Sequence, residues 1–186
     1  MAISAAALLL QRPVKWIEDR REHFTNAVQE RDQHWSLQIV LDAEAKIQGL
    51  RGSLLHDQGA YALQDVNLAY NSATSVTGPY VVPAFAMDVT LVLTNKVPVS
   101  SVRGAGYPQA AFAIERLLDL AARELKMDRA ELRRLNLIAP EKMPYTKPLK
   151  ARSGATIQYD SGDYPATQAK AVEAIAGSMN QALTFG

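Results

Sequence analysis

The feature that most constrains this fold is a single long helix signal, PQAAFAIERLLDLAAREL, running from Pro108 to Leu125. Ala111, Ile114, Leu118, Ala121 and Leu125 recur at intervals of three and four, while Arg116, Asp119, Arg123 and Glu124 lie largely elsewhere on the helix. A helix with one apolar stripe must lay it against another layer, so the chain needs a second class of element to cover it. Pro108 suits the first turn, where its missing N–H costs nothing. Asp128 then caps a second helix with Glu131 in capping-box position, Leu132 and Leu135 inside, and an end near Asn136.

Strand patterns supply the covering layer. In HWSLQIVLDA, Trp35, Leu37, Ile39 and Leu41 fall on one face and Ser36, Gln38 and Val40 on the other, which is a half-buried strand. After the turn DAEAK, the segment KIQGLRGSLLHDQGAYA resumes with Ile47, Leu50, Leu54 and Leu55 around two glycines, as a twisted or bulged strand does. The two segments are expected to pair as an antiparallel hairpin. A third strand is expected from about Ala84 to Thr94. Residues 62–78 read as irregular and polar, and APEKMPYTKPLK as a proline-punctuated connector. Thr156–Tyr159 reads as a short strand, followed by a helix over YPATQAKAVEAIAGSMNQAL started by Pro165. The fold class is therefore α+β, with antiparallel or mixed strands packed against several helices.

At the N-terminus, residues 2–11 read as a short apolar helix that packs on something, because alanine and leucine are strong helix formers. A signal peptide is disfavoured: no basic region leads, and Leu10 is followed by Gln11 and Arg12. Pro13 ends this helix and Val14, Trp16 and Ile17 favour an extended segment, after which RREHFTNAVQERDQ reads as a connection with some helical turns. No apolar run is long enough for a membrane span. A net charge of +1 gives no broad electrostatic reason to expect nucleic acid as a partner. Cysteine is absent, which removes disulfides, thiolate metal ligands and cysteine nucleophiles together and fits a cytoplasmic, reducing location.

Candidate chemistry is sparse. His23, His34 and His56 lie far apart with no zinc-like spacing, and ordinary polar or core roles are expected for them, with no metal held by side chains. No Gly-x-Ser-x-Gly occurs, and RGAG is followed by no Gly-Lys-Ser/Thr, so neither a nucleophile elbow nor a Walker loop is present. VRGAG, directly before the long helix, keeps two meanings open. Gly104 and Gly106 can take positive φ and expose N–H groups, the helix N-terminus adds partial positive charge, and Arg103 adds a forked cation; together these can hold an oxyanion or an electron-rich cofactor group. Equally, it is a plain tight turn with a surface arginine.

A family resemblance bears on that choice. RPVKWIEDRREHF, GPYVVP, TNKVPVSSVRGAGYPQAAFAIERLLDLAARELKMDRAELRRLNLI, MPY and YDSGDY follow one another here in the order typical of the molybdopterin-binding large subunit of the xanthine dehydrogenase/aldehyde oxidase family. The chain resembles most the branch with the carbon monoxide dehydrogenase large chain and aromatic-heterocycle hydroxylases. The resemblance covers about Arg12 to Tyr164, and the arginine-glycine-helix stretch and YDSGDY are its specific parts.

That resemblance implies a partial molybdenum-cofactor-binding domain over residues 1–186, with residues 1–150 as strand-rich part and central helices and 151–186 as connector and C-terminal helix. It implies hydroxylation of aldehydes or N-heteroaromatic substrates with water as oxygen source, a molybdenum-pterin cofactor, and electron exit through iron–sulfur and FAD subunits. Carried over by position, Arg103, Gly104, Ala105 and Gly106 would face the cofactor, and Val102, Ala105 and Tyr107 the substrate. Several relatives place a bulky aromatic where Ala105 stands, so this pocket would be roomier and stack less. Carbon monoxide enzymes use a cysteine in this loop, and none exists here.

Two family parts have no counterpart here: a glycine-rich cofactor loop ahead of the arginine-proline motif, and a catalytic glutamate near the subunit's end. The chain is thus expected to be a truncated segment, inactive alone, with no catalytic base of its own. Glu115, beside Arg116 and Asp119, reads as a structural ion pair, and Glu18, Asp19 and Asp163 have similarly plain readings. The alternative expectation is a cofactor-free assembly or interaction module. Missing cover would expose apolar surface in either case.

Overall fold

The computed structural model describes residues 2–63 and 66–182. In chain order its elements are α1 (Ala2–Leu10), α2 (Arg20–Asn26), β1 (Gln33–Leu41), β2 (Ile47–Asp57), α3 (Asn67–Ser75), β3 (Phe85–Val92), α4 (Tyr107–Glu124), α5 (Arg129–Asn136), a 3-10 turn at Pro140–Lys142, β4 (Tyr145–Lys150), β5 (Thr156–Tyr159) and α6 (Tyr164–Ala182). The predicted helix at the C-terminal end is present, and its last predicted residue, Leu183, lies outside the described residues. The α+β class holds, with a mixed sheet.

Strands β1, β2 and β3 form one sheet in that order. β1 and β2 make the expected antiparallel hairpin, Trp35 opposite Leu54 and Ile39 opposite Leu50, with a register shift between Val40 and Leu41. Burial along β1 alternates without a break, as the sequence pattern demands. Gly52 marks a close approach: a Cβ there would sit 2.1 Å from the Ser36 carbonyl oxygen. β3 pairs with β2 in parallel, Leu54 beside Val89. Parallel neighbours require a long crossover, and α3 sits within it.

That crossover corrects the reading of residues 62–78 as irregular: residues 67–75 are helical, while Gln64 and Asp65 lie outside the described residues. The buried face of α3 is Leu68, Ala69, Ser72 and Ala73. Three of these four side chains are small and one is a hydroxyl, so hydrophobic periodicity barely registers. The Ser72 hydroxyl bonds back to the Leu68 carbonyl at 3.1 Å, which hides its polarity within the helix.

The main core lies between the sheet and helices α4 and α5. Ile47, Leu50, Val76, Tyr80, Val82, Ile114, Leu118 and Leu132 are buried there, with Trp35, Leu37, Ile39 and Leu41 packed against them. α4 exists where predicted, but its buried stripe is Gln109, Ala110, Ala113, Ile114, Leu118 and Ala122. Ala111 and Leu125, assigned to that stripe from spacing, are exposed. The alanines at 110, 113 and 122 let the helix approach its neighbours closely, so the face is set by small side chains more than by leucines. Asp128 caps α5 through the N–H groups of Ala130 and Glu131; Glu131 does not return the capping-box bond but pairs with Arg134 at 2.5 Å. Asn136, buried at the end of α5, accepts from Ile47 N–H at 2.8 Å and donates to the Ala45 and Leu132 carbonyls at 2.9 Å, tying α5 to the hairpin.

Two further expectations change, and the helical turns expected in the charged connection are present. α1 is helical, yet it buries no residue among those described: Leu8, Leu9 and Leu10 are 72, 85 and 59 % exposed. Its propensity is satisfied locally while its packing partner is not among the described residues. The charged connection contains a helix, α2, closed by a reciprocal capping box between Asp19 and Glu22. The proline-punctuated connector is partly strand, because β4 pairs antiparallel with β5, Tyr145 opposite Tyr159. Lys147 of β4 is buried, donates to Thr77 Oγ1 and the Gly78 carbonyl, and lies 4.6 Å from the Tyr159 ring centre; burial pulls its ammonium down to about 8.

Candidate functional site

The VRGAG loop connects the sheet side of the molecule to α4. Gly104, Ala105 and Gly106 all have positive φ, 108°, 42° and 98°. A Cβ on Gly104 would lie 2.7 Å from Pro108 Cγ, and one on Gly106 would lie 2.5 Å from the Leu68 carbonyl oxygen. Both glycines are thus required twice, by backbone conformation and by space. Two turn bonds shape the loop, Ala105 N–H to the Val102 carbonyl at 2.9 Å and Tyr107 N–H to the Gly104 carbonyl at 3.0 Å; the first helical bond, from Ala110 to Gly106, follows at 3.2 Å.

Side chains from two distant segments brace this loop. Val102 N–H donates to Glu30 Oε2 at 2.7 Å. The Arg103 carbonyl accepts from Arg31 at 3.0 Å, the Ala105 carbonyl from Asn71 Nδ2 at 3.0 Å, and the Gly106 carbonyl, at 2.9 Å, shares the single Ser72 hydroxyl proton with the Leu68 carbonyl. Three carbonyls are therefore turned toward the protein. Among the described residues, no hydrogen bond uses the N–H of Arg103 or Gly104. α4 has glycine at its N-cap and no side-chain cap; in its first turn Tyr107 N–H is taken by the Gly104 carbonyl and Pro108 has none, so the helix adds the partial positive charge of its dipole rather than free donors.

Each residue singled out from sequence has a definite place. Val102, Arg103 and Tyr107 are exposed, Gly104 and Ala105 half-buried and Gly106 buried, all on one turn. Tyr107 lies near the Tyr159–Tyr164 pair, whose rings meet edge to face at 6.2 Å; burial, then Tyr164 and Tyr107, push the Tyr159 hydroxyl up to about 12. The loop and the YDSGDY motif are therefore neighbours.

Glu115 is a structural ion pair, but with Arg133 of α5: Oε2 accepts from Arg133 Nε at 2.6 Å and Oε1 from the Tyr80 hydroxyl at 2.7 Å. Burial and that carboxylate raise the Tyr80 hydroxyl above its ordinary value. Glu18 pairs with His23 at 3.0 Å, Asp19 caps α2, and Asp163 caps the start of α6. The histidines are dispersed, and no group of three His, Asp or Glu side chains converges among the described residues.

Glu30, Arg31, Asn71 and Ser72 escaped the sequence reading. Nothing in periodicity marks them, since two sit in a charged connection and two in the unrecognised helix. Behind Ser72 lies a buried polar chain. Gln33 Nε2 donates to Ser72 Oγ at 3.0 Å and to His56 Nδ1 at 3.1 Å, and Gln33 Oε1 accepts from Trp35 Nε1 at 3.1 Å. An accepting Nδ1 puts the His56 proton on Nε2, a fully buried atom with no partner among the described residues. Burial holds the His56 imidazole below its ordinary value, against the opposing charges of Asp57, Glu30 and Asp32. Beside the brace, Arg31, Gln33, Trp35, Pro108, Gln109 and Phe112 line part of a largely apolar groove of about 590 Å³ between β1 and α4.

The fold and this loop have known counterparts. The chain is 40% identical over 159 residues to the 6-hydroxypseudooxynicotine dehydrogenase complex subunit gamma of Paenarthrobacter nicotinovorans, covering 85% of this chain and 20% of that protein. It is 33% identical over 174 residues to the carbon monoxide dehydrogenase large chain of Hydrogenophaga pseudoflava, covering 91% and 21%. The crystal structure of quinoline 2-oxidoreductase from Pseudomonas putida 86 superposes with a TM-score of 0.81 at 30% identity, over 98% of this chain and 23% of that one. The chain thus spans about a fifth of the length of the relatives it matches. The family model of the molybdopterin cofactor-binding domain matches residues 1–137, hairpin, crossover, loop and α4 together, and the chain belongs to that family.

Proposed function

We propose that this chain forms one wall of the molybdenum-pterin pocket in a large subunit of an oxidoreductase that hydroxylates aldehydes or N-heteroaromatic substrates with water as oxygen source. The braced 102–106 loop carries this reading. Its carbonyls are turned inward and bonded, which leaves the Arg103 and Gly104 N–H groups and the Arg103 side chain as donors on one turn, with the positive end of the α4 dipole behind them.

These residues fit one side of such a group. Arg103, Gly104, Ala105 and Gly106 would line it, with backbone donors from Arg103, Gly104 and Gly106 and one cation, while Ala105 N–H stays in its turn bond. No converging side chains are available to ligate a bare metal among the described residues, so molybdenum here would bring its own ligands, as a pterin-bound metal does. When bound, the cofactor supplies the two-electron oxidation chemistry. The chain's own part is to orient electron-rich cofactor atoms and stabilise negative charge with donors already fixed in place. Val102, Ala105 and Tyr107 would line the substrate side, where alanine at 105 would leave more room and less stacking than a bulky aromatic. No general base is assigned here: the Glu115 carboxylate is occupied by Arg133 and Tyr80.

Residues 1–150 would form the strand-rich part of this wall and 151–186 a connector and helix beside it. The remainder of the large subunit, together with iron–sulfur and FAD subunits, would complete the electron path. The named relatives support that assembly, one as a complex subunit and one as a large chain. We place the protein in the cytoplasm, supported by its lack of cysteine; no helix of the described residues is long and apolar enough to cross a membrane. The exposed Leu8–Leu10, Trp16, Ile17 and Phe24 favour a second reading in which the chain serves only for assembly.

The test uses the complete subunit. Gly104→Val and Arg103→Ala should lower molybdenum and pterin content, measured by elemental analysis and mass spectrometry, and with it hydroxylation of aldehyde and N-heteroaromatic panels. Full cofactor content and activity in both variants would refute the assignment.

A further inference from the structure

We infer that Arg31 is a positioning residue for the 102–106 loop, an inference that rests on reading this loop as a pocket wall. Arg31 has a φ of 83°, in the left-handed region that costs a non-glycine side chain free energy and persists only where surroundings enforce it. It directly follows Glu30, whose side chain is fully buried while accepting the Val102 N–H. From that bend its guanidinium reaches 72 positions along the chain to the Arg103 carbonyl at 3.0 Å, and gives its second nitrogen to Gln109 Oε1 at 3.2 Å on the first turn of α4. The fork thus ties the loop to the first turn of the helix that directly follows it.

Peptide planarity gives this tie its consequence. The Arg103 carbonyl and the Gly104 N–H belong to one planar trans peptide unit, so they point in opposite directions. Holding the carbonyl against Arg31 aims the Gly104 N–H away from the protein. Asn71 does the same two peptides later, fixing the Ala105 carbonyl and hence the Gly106 N–H. With glycine on both sides of Ala105 the loop has other conformations available, and the unbraced peptide would rotate. Arg31 therefore sets a donor direction without touching the ligand. Lysine would keep the charge but replace a rigid planar fork with one nitrogen on a flexible stem.

The test is amide hydrogen exchange of Arg31→Lys in the complete subunit, comparing the peptide spanning residues 100–109 with that spanning 47–57. Exchange in the loop peptide, where Val102, Ala105 and Tyr107 are protected, should rise on the order of ten-fold, while the hairpin peptide stays unchanged. Gln109→Met removes the second anchor of the fork and should give a smaller rise in the same peptide; it stands as the test if Arg31→Lys does not fold. An unchanged loop in a folded variant would overturn the inference, and so would an equal rise in both peptides, which marks a general structural role. Loosening of the loop with molybdenum content intact would support Arg31 as its positioner and refute the pocket-wall reading instead.

Discussion

Replacing Gly106 by alanine tests how tightly the loop is seated. Two costs can be worked from the structure. The residue has a φ of 98°, and an L side chain there costs roughly 1–2 kcal/mol. The added Cβ would also fall 2.5 Å from the Leu68 carbonyl oxygen and 2.8 Å from Ser72 Oγ, so α3 or the loop must move. Movement sacrifices the Ser72 bond to the Gly106 carbonyl, about 1 kcal/mol, and disturbs the buried Gln33–His56 chain behind it. The sum is about 3 kcal/mol. Gly154 provides an internal control: its φ is 86°, but nothing lies within 4 Å of the Cβ position. Gly154→Ala should therefore cost only the conformational part, roughly 1 kcal/mol. Urea unfolding of both variants, followed by fluorescence of Trp35 and Trp16, measures the difference. Equal, small destabilisation by the two substitutions would show that α3 does not press on the loop, and the bracing argument would fall.

Other expectations follow the same logic. Asn136→Ala takes the side-chain partner from the Ile47 N–H and the Ala45 carbonyl, the Leu132 carbonyl keeping its place in the α5 ladder, and should destabilise by about 2–3 kcal/mol in the same urea assay; a loss below about 1 kcal/mol would mean the hairpin and α5 are joined otherwise. His56 is held below its ordinary value of 6.5, so the unfolded chain binds its proton first as pH falls; its contribution is present above pH 6.5 and lost as pH drops through the folded value. The urea midpoint should accordingly decline on that acid side, and His56→Gln should flatten the slope. Ser72→Ala should leave one of the two Gln33 side-chain N–H groups without an acceptor and raise amide exchange at Tyr107 and Ala110 more than in β2.

Elements with one apolar and one polar face were readable from sequence. β1 alternates with a period of two and α4 and α5 repeat near 3.6, α4 being missed only in which residues its stripe contains, while β2, β3 and α6 were marked by composition and by their glycine, turn and proline boundaries. Alanines at 110, 113 and 122 carry little hydrophobic weight, yet their size decides which face approaches the neighbours. α3 was illegible for the related reason that its buried face is mostly small or polar. Glycine spacing marked the loop as a close approach, because Gly104 and Gly106 have few other uses before a helix. Its brace was invisible: Arg31, Asn71 and Ser72 meet the loop only through contacts 34 or 72 positions apart, and no local pattern encodes such a meeting. The exposed leucines of α1 show the opposite case, where local helix propensity is legible and the packing partner is not.

The central claim is a matter of position, and anomalous diffraction at the molybdenum absorption edge on crystals of the complete subunit measures it. A molybdenum peak alongside the Arg103–Gly106 backbone, on the side opposite Arg31, is the predicted result. A peak remote from this loop, with the Gly104 N–H bonded only to protein, would contradict it.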